Sequence, residues 1–180
     1  MTPNSPLRVP CLIVLVGPPG SGKTTWAHRN CYGAVHVSQD ELIDAITPGG
    51  FDHAYRPVYR EAEDVVARVG LREGNTVIVD RTNRTRANRE RWIRIASPAS
   101  APVVAVVMGT PQNVCRERNA ARLTSRRLTG ERMQRMLAAF EPVEQDEGFA
   151  AVYFNSGLDS GIELEEILSA SLSLKGVDIS

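Results

Sequence analysis

The sequence predicts an α/β fold in which a parallel sheet of about five strands is flanked by helices. Short apolar or β-branched runs alternate along the chain with segments long enough to form helices. These runs are apolar on both faces, which is typical of parallel strands covered by helical crossovers. With 180 residues, 42% of them hydrophobic, the chain can bury one sizeable core and is short for two domains.

Five strands and six main helices are expected in alternation. The strands are Ala34 to Val37, Thr76 to Val79, Ala151 to Phe154 and two six-residue apolar runs, Cys11 to Val16 and Val103 to Met108. The helices are Lys23 to Asn30, Tyr55 to Arg72, Arg86 to Ala96, Pro111 to Ser125, Gly130 to Phe140 and Ile162 to Leu168. Ligands of such folds bind at the carboxyl ends of the strands, so functional residues should follow the strands.

Residues 11–180 are predicted to form a single domain behind an extension of residues 1–10. The extension contains three prolines and little else, and we expect it to be flexible. The six-residue apolar runs are far shorter than the roughly 20 residues that a membrane-spanning helix needs. Three cysteines at wide spacings predict neither a disulfide framework nor a zinc site. The sequence therefore favours a cytoplasmic protein that has no membrane partner.

A phosphate-binding loop follows the first strand directly. Residues 17–24 read Gly-Pro-Pro-Gly-Ser-Gly-Lys-Thr, a complete match to GxxxxGK[ST] between a strand and a helix. Such a loop points its backbone N–H groups at phosphate oxygens, and the helix that follows adds its positive dipole end. Lys23 should reach the β- and γ-phosphates, and Thr24 should coordinate Mg²⁺. The predicted ATP contacts are Gly17, Pro18, Pro19, Gly20, Ser21, Gly22, Lys23, Thr24 and Thr25.

Lysine is rare in this chain, which supports the assignment of residues 17–24 as a phosphate-binding loop. Only Lys23 and Lys175 occur, against 19 arginines. A sequence that uses arginine nearly everywhere has kept lysine where a compact ammonium must fit among phosphates.

Acidic residues follow the second and third strands. Asp40, in the run Ser38-Gln39-Asp40, could accept the proton of an attacking hydroxyl as a general base, or Ser38 or Asp40 could cap the next helix. Asp80 closes the third strand and could hold Mg²⁺ through water, or could orient the acceptor with Thr82 and Asn83. Asn83 or Thr85 could instead begin the next helix.

Arginines are concentrated in the middle of the chain. Residues 81–135 contain 13 of the 21 positive charges and only three acids, a local balance of +10 in a chain of formal net charge +0. Arg118, Arg122 and Arg126 lie four residues apart and would share one face of a helix, so an anion is expected opposite them. We place an arginine-rich lid at about residues 113–135. The arginines at 81–94, including Arg84, could bind a polyanionic acceptor, with Trp92 either stacking on it or packing in the core.

Taken together, these motifs resemble the kinase domain of polynucleotide 5′-hydroxyl kinases, a branch of the P-loop kinases. The resemblance covers most of residues 11–155 and rests on five pieces: GPPGSGKT, SQD, VIVDRTN, CRERNAAR and FEPVEQDEGFAAV. It implies transfer of the ATP γ-phosphate to the 5′-OH end of RNA or DNA, a step of nucleic acid repair. It also implies Asp40 as general base, Lys23 and Arg126 at the transferred phosphate, Arg122 at the nucleotide, and Asp80, Thr82, Asn83 and Arg84 toward the acceptor.

This chain departs from that family in three places. Phage members of the family have an arginine three positions after the catalytic aspartate, where this chain has Ile43. The usual DNTN or DATN after the third strand is DRTN here, and the DxDxT signature of the associated phosphatase is absent, so no 3′-phosphatase activity is expected. Two other functions fit the motifs: a kinase of a small hydroxyl-bearing molecule such as a nucleoside, sugar or antibiotic, and a nucleotide-gated binding protein. Asp40 counts against the last, because a binding protein needs no base there.

Overall fold

The computed structural model describes residues 10–156 and 162–174 of the chain. Its five strands form one parallel sheet in the order β2-β3-β1-β4-β5. The strands are β1 Cys11–Val16, β2 Val35–Ser38, β3 Thr76–Asp80, β4 Val103–Met108 and β5 Ala151–Asn155. The predicted α/β class is therefore confirmed, and each strand lies within one residue of its expected position. The predicted flexibility of residues 1–10 falls, except for Pro10, outside the described residues.

In the described part of the chain, seven α-helices connect and cover the strands. They are α1 Lys23–Asn30, α2 Gln39–Ile46, α3 Arg56–Arg72, α4 Arg86–Ala96, α5 Gln112–Ala120, α6 Gly130–Ala138 and α7 Leu164–Leu174. Four short 3₁₀ turns lie at His53–Tyr55, Ser97–Ala99, Thr124–Arg126 and Gln145–Glu147. Within residues 10–156 and 162–174, no helix has both the length and the apolar character that crossing a bilayer requires.

The central strand β1 is buried on both faces, and every one of its residues is 0% exposed. Alternate side chains therefore enter two separate cores. On one face Leu12 and Val14 pack with Ala67 of α3 and Trp92 of α4. On the other face Ile13 and its neighbours pack with α1 and α7. This double cover fixes the strands, and with them the positions of the loops at their carboxyl ends.

The predicted helix Pro111 to Ser125 is too long, because α5 ends at Ala120. The buried side chain of Asn119 donates to the backbone oxygen of Leu128 (2.9 Å) and accepts from its N–H (3.1 Å). These bonds fold the chain back onto the end of α5, where a longer helix would continue. A small separate core of Cys115, Met133 and Leu137 then joins α5 to α6. The region at 113–135 is thus a helix, a 3₁₀ turn and a second helix.

A buried arginine connects the loop after β3 to residues 141–147. The side chain of Arg89, on α4, is 0% exposed, and its guanidinium makes five hydrogen bonds. Two go to the Glu147 carboxylate, each 2.6 Å long, and three go to the backbone oxygens of Asn83, Glu141 and Pro142. Because guanidinium has five N–H donors, every one of them is used.

Replacing Arg89 with alanine should destabilise the fold strongly. The change leaves the carboxylate of Glu147 buried without its partner, and breaking a buried pair in this way costs about 3–5 kcal/mol. We expect the free energy of unfolding, measured by urea denaturation, to fall by that amount. Arg94→Ala is the matched control, since Arg94 lies on the same helix but is exposed. A loss at Arg89 no larger than that at Arg94 would contradict the role of this network.

Candidate active site

The phosphate-binding loop has a backbone that requires glycine. Gly20 and Gly22 have φ angles of +82° and +96°, in the left-handed region that side chains disfavour. A Cβ atom on Gly20 would lie 2.6 Å from the backbone oxygen of Cys115, so the loop also approaches α5 too closely for any side chain. Gly22 precedes α1 directly as its N-cap, without a side-chain cap. The first N–H groups of α1 are therefore available to an anion at the loop.

Two hydrogen bonds tie this loop to the segments that follow the neighbouring strands β3 and β4. The N–H of Gly17 donates to the backbone oxygen of Thr82 after β3, over 3.1 Å. The Thr110 hydroxyl, after β4, donates to the backbone oxygen of Ser21 over 2.8 Å. The loop is thus fixed from both adjacent strands before any ligand binds.

Lys23 is buried at the base of the loop. Its ammonium donates to the backbone oxygen of Pro18 (2.9 Å) and to the Ser21 hydroxyl (3.4 Å). Burial lowers the pKa of Lys23 from 10.5 to about 8, although the charge of Asp80 opposes this shift; Arg122 lowers it further. A phosphate group entering the loop would supply the negative charge that this ammonium lacks.

Asp80 and Thr24 offer oxygen atoms beside Lys23. Burial alone would raise the pKa of Asp80, but His36, the Thr24 hydroxyl and the charge of Lys23 together lower it below its ordinary value. Asp80 is therefore an ionised carboxylate at the end of β3, with a hydroxyl next to it. Mg²⁺ prefers hard oxygen ligands and is usually held through one or two carboxylates and bound waters, so this pair fits that ion. Of the two roles left open by the sequence, this placement favours the metal-side role.

Asp40 lies on the first turn of α2, immediately after β2. The cap of this helix is Ser38, whose hydroxyl accepts from the N–H of Glu41 over 3.4 Å. Asp40 is therefore not the cap of this helix. Its side chain is exposed, and its carboxylate has no hydrogen bond or ion pair within the described residues. Its negative charge acts on Lys23 and, like that of Asp80, opposes the lowering of the Lys23 pKa by burial. Asp40 is thus an exposed carboxylate close enough to Lys23 to act on it electrostatically, although it does not line the cavity at the loop.

The residues after Asp80 serve mainly to join parts of the fold. The side chain of Asn83 is buried; its amide donates to the backbone oxygen of Leu15 (2.8 Å) and accepts from the Trp92 indole N–H (2.9 Å). The φ angle of Asn83 is +43°, in the left-handed region that asparagine tolerates better than most residues. Both ends of this side chain are engaged inside the protein, so it does not open toward an acceptor. Trp92 is 0% exposed, as core packing predicts, and leaves no surface for stacking.

Most arginines of the 81–94 segment form ion pairs within the protein. Arg81 and Arg91 both contact the buried carboxylate of Glu63, at 2.7 and 3.1 Å. Arg86 pairs with Asp146 at 3.0 Å, and Arg89 is the buried residue described above. Arg91 is only 8% exposed, because its side chain lies between α4 and α3. The segment thus offers an acceptor much less charge than its sequence indicates; Arg84 and Arg94 remain outside these pairs.

The lid arginines do not share one helical face, because α5 ends before two of them. Arg118, on α5, donates to the backbone oxygen of Gly20 over 3.3 Å. Arg118 and Arg122 line a cavity of about 230 Å³ together with Lys23 and the loop. The expected nucleotide contact of Arg122 is compatible with this position. Arg126 does not line the cavity, and its guanidinium pairs with Asp44 on α2.

Sequence reasoning missed a second cavity on the other side of the loop. It has a volume of about 210 Å³ and is lined in part by Trp26, Arg29, Met108, Val114 and Asn155. It shares Ser21, Gly22 and Arg118 with the surroundings of the loop. Mixed apolar and polar walls next to a phosphate site could hold the nucleoside end of a nucleotide. Its residues come from four separate stretches of the chain, so no local motif indicates it.

The FEPVEQDEGF segment, the most specific piece of the family resemblance, is engaged internally. The carboxylate of Glu141 accepts from the N–H of Arg86 (2.6 Å), and the N–H of Glu141 donates to the backbone oxygen of Arg84 (2.8 Å). Glu147 forms the buried pair with Arg89. Burial alone would raise the pKa of Glu147, but hydrogen bonds from Arg89 and the Glu144 backbone lower it overall. The segment therefore supports the loop after β3 from behind.

Comparison with protein families gives a match over most of this region. A family profile described as AAA domain (AAA_33) matches residues 12–143. Among curated proteins, transcription factor bHLH140 of Arabidopsis thaliana is 30% identical over 148 residues. That alignment covers 79% of this chain but only 16% of the plant protein, so the chain corresponds to a small part of that relative.

Solved structures share the fold at low identity. A candidate kinase from Chloroflexus aurantiacus matches with a TM-score of 0.71 and 16% identity, over 96% of this chain and 100% of the other. A Pnkp1/Rnl/Hen1 RNA repair complex contains a chain with a TM-score of 0.64 and 20% identity, over 77% and 46%. APS kinase CysC of Mycobacterium tuberculosis, solved with AMPPNP and APS, has a TM-score of 0.57 and 18% identity, over 92% and 97%. The fold is that of P-loop kinases, which implies binding of a nucleoside triphosphate.

The low pKa of Lys23 predicts a pH-dependent affinity for ADP. Above pH 8 the free protein has lost the Lys23 proton, whereas bound phosphates restore it, so binding takes up a proton. Affinity should therefore fall as pH rises from 8 toward 9.5, with a slope approaching tenfold per pH unit. Calorimetric titration of the protein with ADP, without metal and at constant ionic strength, measures this affinity at each pH.

Two variants separate Lys23 from other groups in this measurement. Lys23→Arg keeps its charge across the whole pH range and should show a flat profile, whatever its absolute affinity. Lys175→Met removes the only other lysine and should retain the wild-type slope. A wild-type affinity that does not change with pH would show that the Lys23 pKa is ordinary.

Proposed function

The chain belongs to the AAA_33 family, and from that premise we propose that it transfers the γ-phosphate of ATP to the 5′-hydroxyl end of a polynucleotide. The donor side of this proposal rests on the loop around Lys23, and the chemical step rests on Asp40. The polynucleotide as acceptor is supported by separate observations and is tested by a separate experiment, an acceptor screen.

One observation carries the choice of phosphoryl transfer over nucleotide binding alone. Asp40 is exposed on the first turn of α2, is not needed as a cap, and acts electrostatically on Lys23. A carboxylate of this kind, next to a phosphate site, is suited to accept the proton of an attacking hydroxyl. A protein that only binds nucleotide has no use for a base there.

The proposed reaction breaks one bond and forms one. The acceptor hydroxyl oxygen attacks the γ-phosphorus, its proton passes to Asp40, and the bond between the γ-phosphorus and the β,γ-bridging oxygen breaks to release ADP. Lys23 neutralises charge on the phosphates, and Arg118 and Arg122 line the same cavity. Thr24 and Asp80 would hold Mg²⁺, which when bound would supply further positive charge beside the phosphates.

Arg126 completes this assignment only if the lid moves. Its guanidinium pairs with Asp44, one turn beyond Asp40 on the same helix, where both side chains are exposed. An exposed ion pair is worth little, about 0.2–1 kcal/mol, so ATP could draw Arg126 away from it. We therefore propose that Arg126 contacts the phosphates when the lid is closed, and that the pair with Asp44 belongs to the open lid.

A polynucleotide acceptor is supported by two observations. The ordered motifs GPPGSGKT, SQD and DRTN and the ending FEPVEQDEGF resemble those of polynucleotide kinases. Arg84 and Arg94 also remain outside the ion pairs of their segment and could contact a phosphate of the acceptor strand.

A small hydroxyl-bearing acceptor is the second candidate. It is favoured by the ion pairs of Arg81, Arg86, Arg89 and Arg91, which remove most of the charge that a polyanion would need. The fold shared with APS kinase is consistent with it. Both candidates use the same donor site and the same base, so the acceptor must be determined by experiment.

Asp40→Asn should slow transfer strongly while ATP still binds. The amide has the same shape but cannot take a proton, and general-base catalysis contributes typically 10²–10⁴-fold in rate. We expect the turnover number to fall by about that factor, measured with γ-labelled ATP, while calorimetry shows unchanged nucleotide affinity. Glu61→Gln, an exposed carboxylate on α3, serves as the matched control. Transfer at the wild-type rate by Asp40→Asn would eliminate the general-base role.

An acceptor screen decides between the two candidates. Wild-type protein, Mg²⁺ and γ-labelled ATP are incubated with 5′-OH RNA, with 5′-OH DNA and with a panel of nucleosides, sugars and aminoglycosides. Label on an oligonucleotide end, with an apparent affinity that falls as salt rises, is the expected result. Label on a small molecule alone, with a salt-insensitive affinity, would replace the polynucleotide with a metabolite.

A further inference from the structure

Two of the three histidines meet a glutamate beside the active site. His28 lies on α1, His36 on β2 and Glu41 on α2. The Nε2 atom of His28 is 3.4 Å from Oε1 of Glu41, and Nδ1 of His36 is 3.9 Å from Oε2 of the same carboxylate. One nitrogen or oxygen atom from each residue lies within 4.8 Å of the other two. Three elements that are separate in the sequence thus converge on one point.

The spacing of these atoms suits a single transition-metal ion. Zinc binds histidine nitrogen and carboxylate oxygen at about 2.0–2.2 Å, so two ligands of one tetrahedral ion lie about 3.3–3.6 Å apart. The pair of His28 and Glu41 already has this separation. Both side chains are more than half exposed, so they can rotate by the small amount that would bring the third ligand into range.

The surroundings of His36 provide a second, independent observation. Its side chain is only 13% exposed, and its Nε2 atom is buried without a hydrogen-bond partner in the described part of the chain. That atom lies 3.7 Å from Oδ2 of Asp80, too far for a hydrogen bond. Protein metal sites commonly pair a ligating histidine nitrogen with a carboxylate on the opposite ring nitrogen. An ion on Nδ1 would place the proton on Nε2, facing Asp80.

We propose that His28, His36 and Glu41 form a zinc-type metal site, distinct from the Mg²⁺ position at Thr24 and Asp80. Nitrogen ligands select zinc and similar ions, whereas Mg²⁺ prefers oxygen alone. Three protein ligands leave a fourth position to water, as solvent exposure of the cluster allows. The ion ties α1, which begins at Lys23, to α2, which carries Asp40, and it orients His36 toward Asp80. It therefore fixes the base and the phosphate loop relative to each other.

Direct metal binding to the nucleotide-free full chain tests this proposal. Calorimetry with Zn²⁺ should give one ion per chain, and Co²⁺ should produce the visible absorption of a four-coordinate site. His28→Ala and Glu41→Gln should each weaken Zn²⁺ binding by at least about tenfold, a loss that is typical even of second-sphere changes. Neither readout depends on ATP or on an acceptor, so the outcome is independent of the proposed reaction.

Two control variants remove the competing metal-binding groups. His53→Ala removes the third histidine of the chain, and Cys31→Ser removes a partly exposed thiol close to His28 in the sequence. Both should bind Zn²⁺ as the wild type does. His36→Gln, checked for folding by circular dichroism, should lose the Co²⁺ absorption. Should it fail to fold, the surface variants His28→Ala and Glu41→Gln decide alone.

The outcomes separate a built site from an ordinary surface cluster. One Zn²⁺ per chain, lost with His28 or Glu41 and kept in the controls, supports the proposal. Absence of binding, or binding that survives both surface variants, means that the cluster is only a pair of exposed histidine–glutamate contacts. Binding that is lost in Cys31→Ser but kept in His28→Ala moves the ion to the thiol and also overturns the proposal.

Discussion

The buried guanidinium of Arg89 is the contact on which the geometry of the site depends. Its five donors bind the backbone at Asn83, Glu141 and Pro142 and the carboxylate of Glu147. The loop that it holds supplies the backbone oxygen of Thr82, which fixes the first residue of the phosphate loop. A chain of hydrogen bonds thus runs from a motif at residues 140–149 to the nucleotide site. A buried charge pair adds little net stability compared with apolar residues of similar volume, so the contribution of Arg89 and Glu147 is the fixed geometry of the loop.

The elements that sequence could predict are those determined by short-range pattern. All five strands were predictable because burial on both faces leaves uninterrupted apolar runs, and the phosphate loop because its glycines and lysine are contiguous. Helix α4 was predicted with its observed ends, Arg86 and Ala96. Its start coincides with the Thr85 cap, whose side chain accepts from the N–H of Asn88. Local chemistry decides these features, so local sequence reveals them.

The features that sequence did not reveal depend on residues distant in the chain. Helix α5 was expected to continue to Ser125, but its end is set by Asn119 bonding to Leu128, and a helical periodicity contains no sign of that contact. The second cavity, lined in part by Trp26, Met108 and Asn155, draws on four separate stretches of the chain. The cluster of His28, His36 and Glu41 has no ligand spacing within a single motif, because α1, β2 and α2 bring the three residues together only in the folded chain.

Charge shows the same distinction between sequence and structure. The balance of +10 at residues 81–135 indicated a surface for a polyanion, yet five of the 13 arginines there pair with carboxylates from outside the segment. Those five carboxylates, Asp44, Glu63, Asp64, Asp146 and Glu147, halve the balance. The arginines outside these pairs include Arg118 and Arg122, which line the cavity at the phosphate-binding loop, and a few exposed residues. The proposed acceptor would therefore be recognised near its reacting end, because the ion pairs leave little free charge along the 81–94 segment for a longer polyanion.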